Sequence, residues 1–141
     1  MSGRVFLDTN ILIYGVDKLG PDRKRQIAAS LVLSALEQRN GVISYQVVQE
    51  FFSTCLKKAI KPITQDGMAE YLNSVLKPLL AVHSSIELFR EGIDILHRHK
   101  LSWYDSLIVA AAVEAGCSVL YTEDMHHGAK IGGVRIENPF L

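Results

Sequence analysis

The chain is short of several features, and each shortage removes a class of explanation. It has only 2 cysteines in 141 residues, Cys55 and Cys117, with no CxxC, CxxxC or CxxH pairing. That excludes a disulfide scaffold and a zinc finger. It has no excess of either charge: Lys plus Arg is 15 and Asp plus Glu is 15. A polybasic tail is therefore excluded, while a local basic face is not. Long apolar runs are missing too. The longest, Leu107 to Val113, falls far short of the ~20 residues a membrane span requires. The opening Met1-Ser2-Gly3-Arg4 leads into a short apolar stretch broken by Asp8. No secretory signal is expected from it, and the expected location is the cytoplasm. There is no GxGxxG or GxxxxGK, so a nucleotide-binding Rossmann role has no support.

What remains is an ordinary globular composition, 48% apolar and 21% charged. A single domain over residues 1–141 is expected, large enough to bury a core without a covalent or metal staple. Short apolar runs suggest strands at Val5 to Leu7, Val42-Ile43, Leu80 to Val82, Val119 to Tyr121 and Val134 to Ile136. Stretches of helical period lie between them. Ile27, Leu31 and Ala35 mark one that should stop near Asn40-Gly41, and Val47, Phe51 and Cys55 mark one capped by Ser44. Met68 to Leu76 mark one that starts at Thr64 and ends at Pro78. Ile86, Phe89, Ile93 and Leu96 should form the inward face of the next, and Ser102 should start a helix over Trp103 to Ala115. This alternation predicts a three-layer α/β/α sandwich on a mainly parallel sheet.

The acids carry the functional signal. Asp8 closes the first strand, and Asp124 lies just past the fourth. Glu50 interrupts the apolar stretch Tyr45 to Phe52, and Asp105 lies in the first turn of the helix begun by Ser102. In open α/β sheets, sites are built at the carboxyl edge of the strands, where the following helices also start. The four acids can therefore converge on one cleft. Carboxylates so close cannot all ionise without compensation, and a hard divalent cation such as Mg²⁺ or Mn²⁺ supplies it. Such a site activates water and neutralises a phosphodiester under attack. Each acid also has a plainer reading: Asp8, Asp105 and Asp124 as cap or turn residues, Glu50 as a solvated helix residue.

Val5-Phe6-Leu7-Asp8-Thr9-Asn10-Ile11-Leu12 resembles the opening motif of PIN-domain nucleases. Glu50 matches the family's second acid. Leu101 to Ile108, around Asp105, resembles the third motif, and Leu120-Tyr121-Thr122-Glu123-Asp124 resembles the closing threonine-x-aspartate motif. The order and spacing cover essentially the whole chain and are most similar to the VapC-type toxins of toxin–antitoxin pairs. The resemblance implies an Mg²⁺- or Mn²⁺-dependent endoribonuclease that acts on RNA, forms a homodimer and is inhibited by a small cognate antitoxin. It implies that Asp8, Glu50, Asp105 and Asp124 are the catalytic and metal-holding set, with Thr9, Asn10 and Thr122 as polar support. The segment Met125-His126-His127-Gly128 departs from the apolar or aromatic residue expected there.

Other features have more than one reading. Arg23-Lys24-Arg25, Lys57-Lys58 with Lys61, and Arg98 with Lys100 are either solvated faces or contacts to RNA phosphates or an acidic partner. Glu123 is expected to be solvated, as are His126 and His127. Trp103 and Tyr104 are expected to serve packing or an interface. Two other functions stay open: an aspartyl-phosphate phosphatase with Asp8 as nucleophile, whose usual second aspartate is here Asn10, and a PIN-like module that only binds RNA or protein.

Overall fold

The computed structural model describes residues 3–141. The elements, in chain order, are β1 (Arg4–Leu7), α1 (Thr9–Val16), α2 (Asp22–Glu37), β2 (Gly41–Ser44) and α3 (Tyr45–Lys58). A short turn (Lys61–Ile63) leads to α4 (Gln65–Tyr71), a wide helical turn (Leu72–Leu76), α5 (Lys77–Leu79) and β3 (Leu80–Val82). Then come α6 (Ile86–His99), α7 (Trp103–Glu114), β4 (Cys117–Tyr121), β5 (Lys130–Ile131) and β6 (Val134–Glu137).

The strands form one sheet in the order β3-β2-β1-β4-β6-β5, parallel except for the β5–β6 pair. Right-handed crossovers dictate the layers. The path β1 to β2 to β3 steps toward one edge, so α1 to α5 cover one face. The path from β3 to β4 returns across β2 and β1, so α6 and α7 cover the other. α7 packs on β2, β4 and β6, and α2, α3 and α5 pack on β2. This is the expected α/β/α sandwich. Strand order reverses between β1 and β4, and the crevice outside their carboxyl ends is the switch point where such sheets place ligands.

Buried residues explain the layers. Phe6 and Leu7 of β1 are fully buried because helices lie on both faces of the sheet. In α7 every residue from Ser106 to Ala112 is buried, as befits a helix apolar all round. In α3, Val47, Phe51 and Cys55 face the core, and Phe51 stacks on Tyr71 at a ring separation of 4.6 Å, joining α3 to α4. Thr64, Ser85 and Ser102 cap α4, α6 and α7 through their hydroxyls, as their positions suggest. Among the described residues no helix is long and apolar enough to cross a membrane.

Several expectations are corrected. Ile86, Phe89 and Ile93 are exposed, and α6 turns Leu88, Gly92 and Ile95 inward instead. The reason is close approach to α7: a Cβ on Gly92 would stand 2.9 Å from Leu107 Cδ2, so the glycine face, rather than the more apolar one, meets α7. Leu56 and Leu72 are likewise exposed. Pro78 does not end its helix. The preceding wide turn, closed by the Lys77 N–H on the Leu72 carbonyl, makes room for the ring, and the helix runs to Leu79. Ser44 stands at the N-cap of α3, but its hydroxyl makes no cap bond. α2 stops at Glu37, with Arg39 rather than Asn40 or Gly41 in the left-handed region (φ 53°). β5 is only two residues long, too short for an apolar run to mark it. It pairs with β6 through Gly132-Gly133, both at positive φ as a two-residue hairpin turn requires.

Phe51 sits beside Glu50 and fixes the rotation of α3 against the core. Phe51→Ala is expected to lower stability by about 3–5 kcal/mol, measured by chemical denaturation.

Candidate active site

The register of β1 on β4 sets the first contact. Leu7 lies level with Tyr121, so Asp8 falls beside Thr122. Thr122 is fully buried and donates its hydroxyl to Asp8 Oδ2 at 2.8 Å. The other oxygen, Oδ1, accepts the Thr9 N–H at 2.7 Å, so Asp8 also caps α1. The cap reading and the site reading of Asp8 are thus compatible.

Thr9 and Asn10 tie the remaining acids to this point. The Thr9 hydroxyl donates to Glu50 Oε1 at 2.8 Å, and Gln46 donates to Glu50 Oε2 at 3.3 Å. Asn10 Nδ2 donates to Asp124 Oδ2 at 3.0 Å, and the Asp124 N–H donates to the Thr122 hydroxyl at 3.1 Å. Asp105 enters from the start of α7, where its N–H is held by the Ser102 hydroxyl at 3.2 Å. Asp8, Glu50, Asp105 and Asp124 all line one cleft of about 690 Å³. Thr9, Asn10, Gln46, Gln49, Tyr104, Lys57 and Lys58 line it as well, while Thr122 holds Asp8 from beneath.

Among the described residues none of the four acids is ion-paired. Their charges therefore act on one another. Burial above all, with the charges of Glu50 and Asp124 adding to it, pushes the Asp8 carboxyl up to about 7 against the stabilising bonds from Thr122 and Thr9. Asp105 is also raised, first by burial and then by the charges of Asp124 and Glu50, with the Ser102 hydroxyl opposing.

The donor set consists of carboxylate, hydroxyl and amide oxygens, which suits a hard cation and not zinc. Among the described residues no three His, Cys, Asp or Glu side chains close into a ready-made cage. Mg²⁺ sites commonly use one or two carboxylates and keep several waters, so an open set of oxygens fits such an ion.

The residues behind the cleft differ from expectation in one respect. Glu123 is half-buried and tied down, not freely solvated. It accepts the Tyr14 hydroxyl at 2.6 Å and is ion-paired with Lys24, whose ammonium also lies over the Tyr14 and Phe140 rings. Burial opposes ionisation of Glu123, but the bonds from Lys24 and Tyr14 outweigh it and hold the carboxyl below its usual range. This strut anchors the segment carrying Asp124 to α1 and α2. It also engages one member of the Arg23-Lys24-Arg25 cluster. Arg23 donates to the Phe140 carbonyl and Arg25 pairs with Asp22, so both cations have partners within the chain. Lys57 and Lys58 are the basic pair that reaches the cleft. His126 and His127 do not line it, and His127 Nδ1 accepts the Asn138 N–H at 3.0 Å. Met125 fills a buried position, which accounts for the apolar requirement after Asp124.

A family profile described as PIN domain matches residues 5–129. No curated protein matches the sequence. Solved structures share the fold. A toxin–antitoxin complex from Klebsiella pneumoniae is 22% identical, with 96% of this chain and 97% of that one covered and a TM-score of 0.63. VapC20 from Mycobacterium tuberculosis, described as a sarcin-ricin loop cleaving toxin, is 19% identical over 85% and 91%, TM-score 0.59. VapBC2 from Rickettsia felis, bound to a promoter DNA fragment, is 22% identical over 95% and 97%, TM-score 0.64.

Because the Asp8 carboxyl titrates above its unfolded value of 3.8, the folded state holds a proton that the unfolded state releases. The stability this contributes is fully present below about pH 4 and is lost as pH rises through about 7, by on the order of a few kcal/mol. In metal-free protein, the thermal midpoint of Asp8→Asn should rise relative to wild type across that window. A midpoint difference that is flat or slopes the other way contradicts the assignment.

Proposed function

Because the chain belongs to the PIN domain family, we propose that it is an Mg²⁺- or Mn²⁺-dependent endoribonuclease, the toxin of a toxin–antitoxin pair working in the cytoplasm. The observation that carries this reading is the convergence of four acids without a cationic partner on one cleft, with Asp8 pushed up to about 7. Asp8 and Asp105 would hold the cation, and Glu50 and Asp124 would complete the set directly or through water. When bound, such an ion lowers the pKa of a coordinated water and offsets charge building on a phosphodiester.

The chain's own residues supply orientation and proton handling. Thr122 and the Thr9 N–H keep Asp8 in one rotamer, so both of its oxygens stay aimed. Thr9 and Gln46 hold Glu50, which is placed to orient water or to accept its proton. Asn10 sets the distance between Asp124 and the β1 end. Lys57 and Lys58 supply positive charge at the cleft for the flanking phosphates of the strand. A covalent aspartyl route draws less from this site, since Asn10 stands where its usual second aspartate would be and Glu50 has no part in it. The likeness to a toxin–antitoxin complex from Klebsiella pneumoniae supports a small antitoxin partner. The exposed apolar side chains Ile86 and Ile93 of α6 support a homodimer.

The test is cleavage of a mixed single-stranded RNA with Mg²⁺, Mn²⁺ or EDTA. Cleavage should require the metal. Asp105→Asn should lower it by more than the roughly 10–100-fold typical of changes one shell out from a metal. Cleavage that persists in EDTA, or at the wild-type rate in Asp105→Asn, contradicts the proposal. Replacing Lys57 and Lys58 together by Ala should weaken RNA binding and flatten the salt dependence by about 1.4 in log–log slope, at ~0.7 per single-strand phosphate contact.

A further inference from the structure

A second cavity of about 210 Å³ opens beside the acid cleft, with Gln46, Gln49 and Tyr104 in the lining of both. Phe89 and Trp103, ring centroids 6.3 Å apart, give it an aromatic wall, and Val82, Leu88 and Leu107 give it apolar sides. Its one deeply buried polar group is Ser44, 3% exposed. Among the described residues, the Ser44 hydroxyl is the only buried side-chain oxygen without a hydrogen-bond partner. A serine at an N-cap normally satisfies its oxygen on the helix, and this one does not. An orphaned buried hydroxyl costs stability, and a ligand atom that meets it at the cavity wall would relieve that cost.

We propose that this cavity is a nucleobase subsite. The base next to the phosphate held at the acids enters it, stacks on the aromatic wall and pairs an edge atom with the Ser44 hydroxyl. The inference rests on the ribonuclease reading above. The chemistry favours a base over an apolar side chain of a partner for three reasons. The cavity adjoins the proposed phosphate site and shares Gln46, Gln49 and Tyr104 with it. Its lining adds Gln49 and His83 as polar groups to the aromatic wall, matching a flat heterocycle with a polar edge. Its volume is below the ~300–1,000 Å³ of pockets for larger ligands, which suits a single ring system. Gln46, bonded to both Glu50 and the Tyr104 carbonyl (3.2 Å), is the partition between the two sites.

Trp103 is the chain's only tryptophan, so all tryptophan emission arises at the wall of this cavity, and the abasic series separates base entry from binding at the acids. Asp105→Asn protein, which cannot consume the strand, is titrated with a short single-stranded RNA. The titration is repeated with the same RNA made abasic at each position in turn. Saturable change in Trp103 emission is expected, with abasic substitution at one position weakening binding roughly 5- to 150-fold, the range that base–aromatic stacking supplies. Ser44→Ala in the same background should weaken binding of the intact strand without lowering the thermal midpoint, because the hydroxyl has no partner in the free protein. The proposal is overturned if the emission does not respond to RNA, or if all abasic strands bind like the intact one. It is also overturned if the emission follows protein concentration alone, which would mean that a second copy covers the cavity. Wild-type cleavage of the same RNA separates the two readings. Cleavage without a base-dependent signal removes the subsite and leaves the nuclease. A base-dependent signal without cleavage does the reverse.

Discussion

The buried hydrogen bond from Thr122 to Asp8 joins the ends of β1 and β4 at the point where strand order reverses. Everything else at the cleft is built outward from it. The parallel register brings the two residues level, and the Thr122 side chain is wholly out of water, so the carboxylate it meets has little choice of rotamer. From Asp8 the network passes to Thr9 and Glu50 in one direction and through Thr122 and Asn10 to Asp124 in the other. The chain thus orders acids that repel one another by giving each a neutral hydroxyl or amide donor. Neutral donors fix position without cancelling charge. Burial first, and the neighbouring carboxylates after it, raise the proton affinity of Asp8 and Asp105. A cation relieves that repulsion only while it is bound, which is how such a cleft can favour a divalent ion over an empty state.

Away from the cleft, the charges do different work. Lys24, Tyr14 and Glu123 form a strut in which the opposite charges do cancel, and the acid is held ionised. Glu123 and Asp124 are neighbours in sequence, yet one is neutralised by a lysine and the other is left for the cleft. That division ties the loop after β4 to α1 and α2 and leaves its last acid without a cationic partner among the described residues.

Much of this was legible in the sequence because it depends on short local patterns. Asp8 at a strand end, Asp105 one turn after a capping serine and Asp124 after Tyr121-Thr122 are set by the strand-to-helix connections themselves. What escaped depends on contacts between distant residues. The pairing of Lys24 with Glu123 spans 99 positions, and nothing local distinguishes Glu123 from a solvated acid. The inward face of α6 is decided by Gly92 against Leu107, a close approach that apolar periodicity reports with the wrong sign. Pro78 stops a regular helix but not one widened by the turn before it. The unsatisfied Ser44 hydroxyl looks, from the sequence, like an ordinary cap.

The central claim is that the four acids are ordered for a divalent cation. It is tested most directly by calorimetric titration of metal-free protein with Mn²⁺ near pH 7, in two buffers of different ionisation enthalpy. The account predicts saturable binding that releases protons, because Asp8 with a pKa of about 7 must ionise to take part, and predicts that Asp8→Asn and Asp105→Asn each weaken it sharply. Mn²⁺ binding of undiminished affinity in both variants, or no binding to the wild-type chain, would contradict it.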